Sequence, residues 1–210
     1  MNRKAARRLY ETAVAYVSTK HAGELQWLRD ISPATFAKLD FSGFLSEYCW
    51  VVYASGFREA VVKKHFKRLT AAYCNFNPVR LCRKRSLTAV FAVNANSRKA
   101  RGFVRGARQI RKEGFGDFKA RVKKDGMDVL RELPFIGPVT QKHLARNIGL
   151  NDVSKDDVWL VRIAQKVGAS SVPDLTQYLA NATGKRQGVV DLVLWRYCAD
   201  YGSRVLKGLA

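Results

Sequence analysis

The stretch from Leu133 to Arg162, LPFIGPVTQKHLARNIGLNDVSKDDVWLVR, constrains the fold of this chain more than any other. It reads as the end of one helical segment, a tight Pro/Gly hairpin, a second helix, a loop, and an acidic pair at the mouth of a third helix. The turn Leu133-Pro134-Phe135-Ile136-Gly137-Pro138 is too tight for ordinary residues throughout, so Gly137 is expected to take a positive φ. Thr140 falls near the start of the second helix. The N–H groups of that helix end have no intrahelical acceptor and stand at the positive end of the helix dipole, an arrangement that binds a phosphate without reading sequence. A lone Leu-Pro-x-x-Gly turn is also an ordinary corner between two helices.

The remaining apolar periodicity is helical nearly throughout. The N-terminus, MNRKAARRLYETAVAYVSTK, reads as an exposed amphipathic helix, because Glu11 and the polar residues after it interrupt any signal-peptide core. A second apolar patch holds Leu25, Trp27 and Leu28, and Ser32-Pro33 signals a turn. Phe44, Leu45, Tyr48, Cys49, Val52 and Tyr53 share one helical face, Ser55-Gly56 punctuates, and Val61, Val62, Phe66, Leu69 and Tyr73 repeat at helical intervals. Asn75 to Arg85 reads as a loop. Ser97 reads as the N-cap of a helix with Ala100, Phe103, Val104, Ala107 and Ile110 on its apolar side and Arg98, Lys99, Arg101, Arg105, Arg108, Arg111 and Lys112 on the remainder. Gly114 and Gly116 mark a break that would leave Phe115 exposed. A helix through Met127 to Leu133 leads into the hairpin. Beyond Arg162, Gly168, Ser171-Val-Pro173 and Gly184 delimit further helices, and Gln187 to Tyr201 is the last apolar one.

With 38 Lys/Arg against 17 Asp/Glu, the formal charge is +21 and the pI near 10.2. Cations recur along the whole chain, so the expected partner is a polyanion. Nucleic acid is favoured over a membrane, because no apolar run approaches the roughly 18 residues of a spanning helix. The four cysteines, Cys49, Cys74, Cys82 and Cys198, have neither CxxC nor His-rich spacing, so they indicate no zinc site and no iron-sulfur cluster and read as buried reduced thiols. Ser154-Lys155-Asp156-Asp157 reads locally as a helix start, with Ser154 as N-cap and Asp157 as its reciprocal partner.

Taken together, the hairpin and the acidic pair resemble the helix-hairpin-helix DNA glycosylase superfamily, the endonuclease III-like enzymes. Leu133, Pro134, Ile136 and Gly137 match that family's Leu-Pro-Gly-apolar-Gly turn, and Phe135 stands where it has its first glycine. The family's catalytic aspartate lies about twenty positions beyond the second hairpin glycine, with an arginine five residues further on; Asp157 and Arg162 fit both intervals. A weaker likeness runs from Phe44 to Tyr201 and includes the Ala54-Ser55-Gly56 junction and Val190-Asp191-Leu192.

The resemblance implies an all-α, two-lobed fold with DNA in the cleft between the lobes. Residues 41–150 would form the helical barrel lobe carrying the hairpin. Residues 1–40 would pack with the C-terminal lobe, 151–210, which carries the catalytic aspartate. It further implies a monomeric intracellular enzyme on double-stranded DNA that cleaves the N-glycosidic bond of a flipped-out damaged or modified base. Asp157, with Asp156 as the alternative, would stabilise oxocarbenium character or orient water. Phe135, Ile136, Gly137, Val139, Thr140, Lys142, Arg105 and Arg108 would contact DNA. Trp27, Trp50, Phe57, Arg58 and Trp159 are the base-pocket candidates, since a flipped base is held between aromatic rings. Relatives that also cut the strand carry a lysine where this chain has Val139, which points to base removal alone; Lys142, one turn later, is the displaced amine of the bifunctional alternative. No cofactor or metal is implied, the family's iron-sulfur cysteines being absent after the last helix. The third alternative is a DNA-binding module without catalysis.

Overall fold

A computed structural model describes residues 1–57 and 59–207. Its regular elements are all helical, with no strand among the described residues: α1 (Arg3–Lys20), α2 (Ala22–Asp30), α3 (Pro33–Lys38), α4 (Phe41–Ala54), α5 (Glu59–Ala72), α6 (Pro78–Arg83), α7 (Thr88–Phe91), α8 (Ser97–Glu113), α9 (Phe115–Asp125), α10 (Pro138–Asn147), α11 (Val158–Val167), α12 (Val172–Thr183), α13 (Gln187–Tyr201) and α14 (Arg204–Lys207). Short 3-10 turns occupy Cys74–Phe76 and Met127–Glu132. Among the described residues no helix is long and apolar enough to cross a membrane.

The chain forms two compact units, Met1–Ala34 with Asn151–Ala210, and Thr35–Leu150. The first crossing lies inside α3, earlier than the 40/41 boundary expected from sequence, because Phe36 and Leu39 bury with the second core.

In the first, discontinuous unit, α1 packs along α13, and α2, α11 and α12 close around them. The α1 stripe Ala6, Leu9, Tyr10, Ala13 and Val17 is buried, which corrects the reading of this segment as an exposed helix: it is amphipathic, but its apolar face is covered. Arg196 of α13 grips Glu24 of α2 through two hydrogen bonds of 2.7 and 2.8 Å.

The second unit is built around α4, where Phe44, Leu45, Tyr48, Cys49, Val51, Val52 and Tyr53 are all buried. The segment 75–85 is not a loop. Asn77 caps α6 by accepting from Arg80 N at 3.0 Å, and Pro78 sits in the first turn, where its missing N–H costs nothing. Asn96, rather than Ser97, caps α8, accepting from Lys99 N at 3.0 Å. Phe115 is not a free aromatic: it opens α9 and stacks on Phe41 with centroids 4.9 Å apart. The segment before the hairpin is a 3-10 turn rather than an α-helix, tied down by Arg121, which bridges Glu132 (2.6 Å) and Glu113 (2.8 Å).

Candidate functional site

The hairpin belongs to the second unit. Gly137 is extended (φ −113°, ψ −173°), contrary to expectation, and the positive φ falls on Phe135 at 68°. Two groups hold this conformation. Tyr48 Oη donates to the Pro134 carbonyl at 2.7 Å, and burial pushes the Tyr48 phenol far up, so it remains a donor. The Phe135 ring lies against α8 at Gly102, where an added Cβ would stand 2.2 Å from Cε2; at Gly106 a Cβ would stand 2.5 Å from Tyr48 Oη. The Gly102-x-x-x-Gly106 pair therefore makes the bed in which both supports lie.

Above that bed Ile136 is buried, while Phe135 is 41% and Val139 38% exposed. Gly137 N donates to Thr140 Oγ1 at 2.7 Å and Gln141 N to the Gly137 carbonyl at 2.8 Å. Pro138 has no N–H to place, so Val139 and Thr140 contribute the remaining first-turn N–H groups, which have no intrahelical acceptor. Lys142 lies one turn on and is partly buried. The far end of α10 is fastened to α4 by Asn147 Nδ2 donating to Glu47 Oε2 at 3.0 Å; burial raises the Glu47 carboxyl above its ordinary range.

The basic face of α8 divides in two. Arg105 is exposed. Arg108, also exposed, donates to the carbonyls of Cys82 (3.0 Å) and Lys84 (2.8 Å) at the end of α6. Lys99 is only 8% exposed and donates to the Ser55 carbonyl (2.5 Å) just beyond α4. Cations here complete helix C-termini, where orphan carbonyls and the dipole favour them.

Asp157 lies in the first unit and is itself the N-cap of α11, which corrects the assignment of the cap to Ser154. Its Oδ1 accepts from Trp159 N at 2.9 Å and Leu160 N at 3.2 Å. Ser154 is instead buried and accepts from Thr176 Oγ1 at 2.9 Å. Asp157 Oδ2 stands 3.3 Å from Lys155 Nζ, an ion-pair distance without hydrogen-bond alignment. The Lys155 ammonium lies 4.3 Å from the centre of the Trp195 ring.

The loop before Asp157 is pinned by two carboxylates that sequence reasoning did not single out. Asp152 accepts from Gln187 N (3.0 Å) and Gly188 N (2.9 Å) at the start of α13, and fully buried Asp191 accepts from Lys155 N at 2.6 Å. A lone Asp in the apolar run Val189 to Leu194 was the readable signal for the second. Cys198, two turns along α13, has its thiol pushed up to about 12 by burial and by the Asp157 charge. The result is a fixed carboxylate beside an amine, able to stabilise developing positive charge or to orient a water molecule. Asp156 is adjacent and partly buried.

The aromatic candidates are divided between the two units, Trp27 and Trp159 in the first, Trp50 and Phe57 in the second. Trp50 packs edge-on against Phe66 at 5.1 Å as part of the second core. Trp27 is exposed on α2, and Trp159 is partly buried with the Arg162 guanidinium 5.3 Å from its ring centre. Phe57 is exposed, with Lys99 Nζ 4.6 Å from its centroid, and Arg58 lies outside the described residues. Among the described residues no group of three or more His, Cys, Asp or Glu side chains could hold a metal ion. No family model, no curated protein and no solved structure matches this chain.

Proposed function

We propose that this protein is a DNA N-glycosylase of the helix-hairpin-helix kind, which takes a damaged or modified base out of duplex DNA and cleaves its N-glycosidic bond, leaving an abasic site. The observation that carries this reading is a paired arrangement twenty positions apart: Gly137 caps α10 behind an exposed hairpin, and Asp157 caps α11 with its carboxylate locked in place. The first supplies backbone N–H groups for a phosphate. The second supplies a fixed negative charge for an oxocarbenium-like transition state. The two compact units are read as the two lobes of that fold. Val139 offers no amine, so water takes the sugar and the strand stays intact.

A second reading, a DNA-binding module without catalysis, draws on the capping geometry, since Asp157 Oδ1 is taken up by the cap and Oδ2 stands at ion-pair distance from Lys155. A panel of duplexes, each carrying one modified base and scored separately for base release and strand cleavage, tests both. Asp157→Asn keeps a capping oxygen and removes the charge. Base release by the wild type that falls by roughly a hundredfold or more in Asp157→Asn supports catalysis. Release at the wild-type rate in the variant excludes Asp157 as the catalytic group. Salt-sensitive binding with no release from any duplex selects the binding module. Borohydride trapping of a covalent adduct that disappears in Lys142→Met would assign strand cleavage to Lys142.

A further inference from the structure

We propose that Phe57 is a stacking platform for one unstacked, electrically neutral nucleobase of a DNA strand, and that Lys99, fixed beneath the ring, selects against cationic bases. Phe57 follows α4 by three residues, and its N–H donates to the Ala54 carbonyl at 3.3 Å, which ties the backbone under the ring to the helix end. The side chain is 46% exposed. One face is taken by the ammonium of Lys99, a residue only 8% exposed, whose Nζ is also held by the Ser55 and Tyr53 carbonyls at 2.5 and 3.5 Å. A buried ammonium with carbonyl acceptors at a helix C-terminus is held in place by the helix dipole as well as by its hydrogen bonds. The ring above it is accordingly constrained, and the solvent exposure it keeps is what a planar partner would cover.

The surroundings identify that partner. The unit from Thr35 to Leu150 carries 24 Lys/Arg against 8 Asp/Glu, a net +16. Directly after Phe57, α5 exposes Lys63, Lys64, Lys67 and Arg68. A polyanion is drawn to such a surface, and the flat apolar group that a DNA strand brings with its phosphates is a base. The cation beneath Phe57 polarises the π-cloud toward itself. A neutral, electron-rich base then stacks well on the outer face, whereas a cationic base meets a depleted ring and the repulsion of Lys99 through it.

The test uses the whole protein and makes no use of base release. A single strand with 2-aminopurine at one position is titrated, with its fluorescence reporting stacking and the anisotropy of an end label reporting binding. Wild type and Phe57→Trp are expected to quench the 2-aminopurine; Phe57→Leu is expected to lose the quench and to bind roughly five- to a hundredfold more weakly. In the second arm, strands carrying one N6-methyladenine or its cationic isomer 1-methyladenine are compared. The neutral isomer is expected to bind on the order of tenfold tighter to wild type, with the gap closing in Lys99→Met. Should Lys99→Met fail to fold, the comparison on wild type decides the selectivity. An undiminished quench in Phe57→Leu overturns the platform, and equal or tighter binding of the cationic isomer overturns the role of Lys99. Because these readouts are independent of chemistry, a protein that releases bases without a Phe57-dependent quench retains the glycosylase reading alone. A quench without release retains the platform alone.

Discussion

Phe135 adopts a backbone conformation that costs a residue with a Cβ roughly 1–2 kcal/mol and costs glycine little. Its ring offsets that cost by lying on α8 where Gly102 leaves room. The two positions are therefore coupled. Gly102→Ala alone is expected to destabilise by roughly 1–3 kcal/mol through overpacking, and Phe135→Gly alone to lose the ring's packing. In combination the new methyl occupies space the ring has left, so the urea midpoint of the double variant should exceed the value predicted by adding the single effects. Strict additivity would show that the ring does not rest there. Glu47 gives a second prediction at this scale. Burial raises its carboxyl, so the folded chain keeps a proton that the unfolded chain has released. Stability should accordingly fall as pH rises from the ordinary carboxylate range through the raised value. Glu47→Gln, which still offers Asn147 an acceptor, should flatten that fall, as read from urea midpoints across the same pH window.

At the scale of elements, the cap of α11 separates structure from chemistry. Asp157→Asn should leave the melting temperature nearly unchanged, because asparagine caps about as well as aspartate, while Asp157→Ala should cost roughly 1 kcal/mol. Thermal melts of both variants check this whatever the protein acts on. The helices themselves were legible where apolar residues repeat with a strong period, as in α4, α8 and α13, and Gly168 and Gly184 mark the ends of α11 and α12 as their left-handed caps require. Less legible were features set by contacts distant in sequence. The cluster Arg80 to Arg85 concealed α6, although Asn77-Pro78 is a good helix start. Cys74, Asn75 and Phe76 all have positive φ with no glycine to announce it, and Phe76 is held there by burial against Tyr73 and Phe103. In the candidate site, Asp157 stood out through the resemblance to the glycosylase family, whose interval from the hairpin it fits, whereas the pins at Asp152 and Asp191 depend on where α13 returns, which no local pattern specifies.

Across the whole molecule the charge is unevenly divided, +16 on Thr35–Leu150 and +5 on the remainder. Part of the larger share is structural, since Lys99, Arg108 and Lys119 satisfy carbonyls at the ends of α4, α6 and α3. If the protein binds DNA, Arg105→Ala should reduce the log–log salt slope by about one, whereas Arg108→Ala should chiefly lower stability. The discontinuity of the first unit has a consequence for biosynthesis. Residues 35–150 are contiguous and hold their own core, so expressed alone they should unfold cooperatively in urea. α1 is translated well before the helix that covers it, α13. At ~5–20 residues per second its apolar stripe waits on the order of ten seconds or longer for a partner. Throughout that interval Arg3, Lys4, Arg7 and Arg8 place four positive charges on the same helix as the uncovered stripe, and like charges of that density oppose its association with other apolar segments.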